Sequence, residues 1–442
     1  MYLFDALVTL KAVQNVEWTP HYKESEDTQC TVMKALQILP NLRSARFTVG
    51  HCKIPLQLDA LTTIQEVSLS GTCTKDIDHD ATLRSLARLV GASSLLTAIG
   101  VANNWRRSQD GAQVNLHALL ALRPKSAQPL YLRRLSIQCV MVRLDEVTLP
   151  HLQYLRALSL TRIEDPCHLE RQAVKYGSQG LDETMLSREG CGSTSVLDEV
   201  WRALQDAGIW LEELIVDAVV PALLDYLASY GGLQKLVLKP GGFEDSASSD
   251  AVAEEFYGRV LGNHATTLQD LEINALYEGK WCVAPHNLDV IALCGDLRTL
   301  RMSVGYGQVG LPSGPGGDKG NDFVKLFLDT VALHLPQLDQ VHIDVANLEE
   351  LRAAFCGNPV IAHFAHTTRA MAECVSRYRA HDSCLQLPAK LSIGNPAHQF
   401  VVAHHHVGSD GEIGKGAVGR ILRYVDVTPP AERHLNLDYG CW

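Results

Sequence analysis

The sequence predicts an α/β solenoid of mostly parallel strands, and three observations predict it. A short unit of the form Leu-x-x-Leu-x-Leu recurs along the chain. Stretches with apolar residues at helical spacing lie between its copies. Turn-like or helix-ending residues such as Leu39-Pro40-Asn41, Gly231-Gly232 and Leu335-Pro336-Gln337 precede many of them. One such unit is a strand too short to bury its own apolar edge, so it must stack on a copy of itself.

The clearest copy is Leu132-Arg133-Arg134-Leu135-Ser136-Ile137. Before it come units beginning at Val13, Leu42, Ile64 and Leu96, ending at Trp18, Phe47, Leu69 and Val101. After it come units beginning at Leu155, Leu211, Leu233, Leu268, Leu297 and Leu338, ending at Leu160, Val216, Leu238, Ile273, Met302 and Ile343. The last two apolar positions of each unit alternate along a strand, so both point inward, and the first closes the turn leading in. Leu-x-x-Leu also marks amphipathic helices. Short units, β-branched residues and turn-like openings favour strands here. The spacing of the copies is irregular, wider in places than the roughly 20–29 residues of a regular leucine-rich repeat.

Helical returns fit between the strands. Ala81–Leu89 carries Leu83, Leu86 and Leu89 on one face, and Val196–Leu204 carries Val196, Leu197, Val200, Trp201 and Leu204. Pro221–Tyr230 has Pro at its first turn and Gly231-Gly232 beyond its end, an arrangement suited to both termini. Ala251–Leu261 and Phe323–Leu335 read the same way. Alternating strand and helix with parallel stacking predicts a leucine-rich-repeat horseshoe, strands on the concave face.

The repeat region is expected over 1–353 and an irregular C-terminal cap over 354–442. In the cap, Leu391-Ser392-Ile393, Gln399–His404 and Arg420–Val427 read as strands around a Gly-rich turn, covering the last repeat. Three breaks, Ile163–Thr194, Phe243–Asp250 and Gly307–Asn321, are rich in Gly, Ser and charge and are expected as surface loops.

Hydrophobic residues make up 46% of the chain and charged residues 20%, a folded composition. The net charge of −11 disfavours a general binder of nucleic acid or anionic membrane, which needs a basic footprint. A local basic patch is present at Trp105-Arg106-Arg107. Twelve cysteines, including Cys139, Cys282 and Cys374, form no Cys-x-x-Cys pair and read as reduced, partly buried thiols. The apolar N-terminus carries Asp5 and lacks a basic leader region, and no stretch is long and apolar enough for a membrane span. A cytoplasmic or nuclear protein is expected.

Few residues invite chemistry. His404 and His406 share one face of a predicted strand, yet no local partner spacing completes a metal site. Gly414-Lys415-Gly416-Ala417-Val418-Gly419 matches Gly-x-Gly-x-x-Gly. It precedes a predicted strand where a dinucleotide site needs a helix, so a hairpin turn is the expectation. A nucleotide- or metal-binding role for this Gly-rich turn and the His cluster is the alternative. No catalytic, cofactor or metal residue is assigned.

The outward middle positions of the strands supply the surface argument. Arg46, Ser136, Ile215, Val237, Glu272, Arg301 and His342 are the candidate partner-binding residues, charged at the ends and less polar in the centre. Such a groove suits a protein or peptide segment rather than a nucleic acid or a membrane.

The units, with openings such as Leu39-Pro40-Asn41-Leu42 and Leu335-Pro336-Gln337-Leu338, resemble irregular leucine-rich-repeat proteins of the ribonuclease-inhibitor-like class. They look most like the repeat halves of fungal F-box proteins. That resemblance implies a substrate receptor of a ubiquitin ligase, in which an F-box docks the adaptor and the repeats hold the substrate. The repeats begin at Val13, and no F-box is evident before them. Adaptor binding is therefore expected only if an F-box is supplied elsewhere.

Overall fold

The computed structural model describes residues 2–71, 79–103, 115–124, 126–163, 195–241, 243, 245–309, 323–351, 358–381, 386–394, 398–406 and 420–428. All eleven repeat units are strands. They are β1 (Asn15–Trp18), β2 (Ser44–Thr48), β3 (Glu66–Gly71), β4 (Ala98–Asn103), β5 (Arg134–Gln138) and β6 (Ala157–Thr161). β7 (Glu213–Ala218), β8 (Lys235–Gly241), β9 (Asp270–Ile273), β10 (Thr299–Val304) and β11 (Gln340–Val345) follow. The chain forms two compact units, Met1–Ile215 with Val220–Tyr226 and Val216–Val219 with Leu227–Trp442, so the division falls inside β7. The sequence-based boundary between 353 and 354 lies outside the described residues.

In the first unit, β1 to β6 lie side by side in chain order, every pair parallel. Register is regular: Val67, Ile99, Leu135 and Leu158 form one row, and Leu69, Val101, Ile137 and Leu160 another. All eight are buried. Each contributes roughly 2–3 kcal/mol of apolar burial that a lone strand would forgo. In the second unit, β8 to β11 repeat the arrangement, with β8–β9, β9–β10 and β10–β11 parallel. Leu236, Leu271, Leu300 and Val341 form its inner row.

Return helices appear where apolar spacing placed them, at His79–Ala92, Val196–Asp206, Pro221–Ala228 and Phe323–His334. Capping explains several starts. Ser25, Asn115 and Ser195 accept the Thr28, Ala118 and Leu197 amides, at 3.1, 2.6 and 3.1 Å. These bonds satisfy amides that the first helical turn leaves over. One expectation is corrected. Phe243–Asp250 is not simply a surface loop: the helix Ser246–Glu255 begins within it, because Asp245 Oδ1 caps the Ser248 amide at 2.7 Å. The breaks at Ile163–Thr194 and Gly307–Asn321 lie largely outside the described residues.

Beyond the eleventh repeat, the helix Asn358–Arg377 leads into β12 (Arg379–His381), β13 (Lys390–Ile393), β14 (His398–His406) and β15 (Arg420–Asp426). β13 adds to β11 in parallel, so it extends the repeat sheet by one more rung. β14, β15 and β12 continue antiparallel. Among the described cysteines, Cys52, Cys282 and Cys294 are buried, and burial pushes each thiol up to about 12. Among the described residues, no helix is long and apolar enough to cross a membrane.

Candidate functional site

Register in the second unit assembles a bonded polar row on its outward face. Glu272 on β9 pairs with Arg301 on β10, Arg301 with His342 on β11, and His342 with Ser392 on β13. Asp344 lies two residues beyond His342 on the same face, level with Ser303 of β10. Neighbouring strands stand about 4.8 Å apart, so side chains in one row are within bonding reach.

The row is fully connected. Arg301 Nε donates to Asp344 Oδ2 at 2.6 Å, and an Arg301 guanidinium nitrogen lies 3.6 Å from Glu272 Oε1. His342 Nε2 is 2.9 Å from Asp344 Oδ1, and its Nδ1 is 2.6 Å from Ser392 Oγ. Asp344 is 9% exposed, so it is the anchor beneath the row. Burial by itself raises this carboxyl. Hydrogen bonds from His342 and Arg301, with their charges, outweigh burial and hold it below the ordinary carboxylate range. Arg301 moves the opposite way: burial disfavours its charge, while Asp344 and then Glu272 more than restore it.

Ser392, His342 and Asp344 form a continuous hydrogen-bond line able to pass a proton. Acyl transfer needs more than that line, because an oxyanion requires donors aimed at it. β13 is paired by β11 on one side and β14 on the other, which commits its backbone amides to the sheet. Among the described residues, no group of three or more His, Cys, Asp or Glu could hold a metal. The His404, His405 and His406 backbone belongs to β14, but their side chains and Gly414–Gly419 lie outside the described residues, as does Trp105-Arg106-Arg107.

The structure sorts the sequence-predicted residues. It brings Glu272, Arg301 and His342 together. Arg46 and Ser136 lie in the first unit, in the outward row Arg46–Ser68–Gly100–Ser136–Ser159. Arg46 pairs with Glu17 at 3.5 Å, both well exposed. Ile215 is half-buried on β7. Val237 requires correction as an open groove position: it is 7% exposed, level with Glu272. A short β-branched side chain between rows only about 4.8 Å apart does not reach past its neighbours. Sequence reasoning missed Asp344 and Ser392. The available signal was Leu391-Ser392-Ile393, which repeats the last three positions of the unit with Pro388 in place of its first leucine.

The fold is an α/β leucine-rich-repeat-like solenoid with a bonded polar row on its parallel strands. No protein-family model and no curated protein matches the sequence. Among solved structures, the chain is similar to one titled "Crystal structure of TLR13-ssRNA13 complex", with TM-score 0.34 and 13% identity over 78% of this chain and 44% of that one. The chain thus spans less than half the length of that solved chain.

Proposed function

We propose that this chain is a non-catalytic interaction module that holds a protein partner or peptide segment on the outward face of its strands. The observation that carries this reading is the row Glu272–Arg301–His342–Ser392, anchored by Asp344. Its side chains are oriented by one another and by the sheet, so little conformational freedom is lost when a partner arrives. A substrate-receptor-like or scaffold role in the cytoplasm or nucleus is the fuller form of the proposal. An adaptor contact would require an F-box from elsewhere.

The test is affinity capture from cell extract, treated with nuclease, comparing the wild type with Glu272→Arg. Proteins retained by the wild type and lost by a folded Glu272→Arg variant support the reading. An identical captured set, or one removed by nuclease, overturns it.

A further inference from the structure

The first unit carries an exposed aromatic ladder at the end of the strands where the chain enters them. The residue just before each repeat leucine is Leu95, Tyr131, Tyr154 and Trp210 in four successive units. These side chains are 48%, 46%, 42% and 44% exposed. They are in step. The Arg133 and Arg134 amides donate to Thr97 O, those of Arg156 and Ala157 to Arg133 O, and those of Glu212 and Glu213 to Arg156 O.

The ladder is preorganised. Tyr131 and Tyr154 stack with ring centroids 4.0 Å apart and planes 23° apart. The Arg133 guanidinium lies 5.1 Å from the Tyr131 ring centroid. Trp210 stacks on Tyr226 at 6.0 Å, and the buried Tyr226 hydroxyl donates to Ile209 O at 2.8 Å. Rings held this way lose little freedom on binding, which makes them anchors rather than loose apolar surface.

Spacing selects the occupant. Every second rung is about 9.6 Å along, twice the strand separation. A polyproline II helix returns the same face after three residues, about 9.3 Å. A stacked nucleic-acid strand advances about 3.4 Å per base and falls out of step with the rungs. The exposed Arg133 at the Tyr131 ring adds positive charge beside the rings, while Arg134 and Arg156 are paired with Glu66 and Glu212. We infer that this ladder binds a proline-rich segment of another protein in the polyproline II conformation, with acidic residues flanking the prolines. Prolines lie across the Tyr131 and Trp210 rungs, which are two apart in the strand order, and the acidic flank meets Arg133. This surface is separate from the row proposed above as the partner site.

The experiment uses the full chain and a fluorescein-labelled nonaproline peptide ending in Asp-Asp-Glu, read by fluorescence anisotropy. Its companions are the same prolines ending in Lys-Lys-Arg, a Gly/Ser peptide with the acidic ending, and a single-stranded oligouridylate. Saturable binding is expected for the acidic polyproline, weakened about tenfold by Tyr131→Ala or Trp210→Ala, as for a central aromatic anchor. Tyr131→Phe keeps the ring and the binding. Arg133→Glu removes the preference for the acidic ending, and being exposed it keeps the test open if an alanine variant misfolds. Glu272→Arg leaves this binding unchanged, which separates it from the row in the other unit. Equal binding of the Gly/Ser peptide, stronger binding of the oligouridylate, no saturable polyproline binding, or indifference to the ladder variants overturns the inference.

Discussion

Arg301 and Asp344 meet across adjacent strands, two residues out of register, with Nε and Oδ2 2.6 Å apart. The bond ties the middle of β10 to the end of β11 and places a low-pKa carboxylate under the row. Because the folded Asp344 pKa lies below its ordinary value, the unfolded chain takes up this proton first as pH falls. Its stabilising contribution is therefore complete above about pH 4 and is lost as pH drops through the folded value. Asp344→Asn should lower the urea midpoint at pH 7, and the gap to wild type should shrink toward pH 3. A gap of constant size across that range would show that the charge on Asp344 is irrelevant.

Ser392 should not behave as an activated nucleophile, since its own strand, paired on both sides, has its backbone amides committed to the sheet and not to an oxyanion. A fluorophosphonate probe should leave Ser392 unlabelled, as judged by mass spectrometry. Stoichiometric labelling there, abolished by His342→Ala, would make the chain an enzyme.

Leu236 is buried in the inner row of β8, level with Leu271. Leu236→Ala should cost roughly 2–5 kcal/mol, the usual range for a buried leucine. Thermal unfolding that is unchanged by the substitution would remove Leu236 from the core.

Gly279 has φ of +150°, and a Cβ there would lie 2.5 Å from Asp250 Oδ1. That oxygen accepts the Lys280 amide at 2.7 Å, so it is not free to retreat. Gly279→Ala should lower the melting temperature measurably. Gly258→Ala serves as the control, because a Cβ there meets nothing within 4 Å and alanine suits a helical backbone better. Similar losses for the two variants would contradict the steric account.

The repeating fold was readable because burial at two alternating positions leaves a pattern that survives insertions. Leu214 and Val216, or Leu300 and Met302, show it as plainly as the regular copies do. The helix Asn358–Arg377 was harder to see. Its buried face includes Thr367, Thr368 and Ala372 beside Met371 and Val375, so its apolar period is weak. The candidate row was half visible. Glu272, Arg301 and His342 follow from counting to the outward middle of each strand. Asp344 lies two residues beyond His342 on the same face, outside the middle positions that the counting picks out. Ser392 belongs to a rung whose first position is Pro388, which hides it from a search for leucine. Exposure at Val237 depends on neighbours three-dimensional packing brings beside it, and no local pattern records them.

The amides of Glu212 and Glu213 reach the Arg156 carbonyl although 56 residues separate Arg156 from Glu212 along the chain. The detour between them does not alter where the chain rejoins the sheet. A surface made this way has two coordinates, height along a strand and rung number, and neither depends on how much chain is spent on the return. New chain can be inserted between rungs, and the addresses of the side chains already in place stay the same. Recognition can then change one rung at a time.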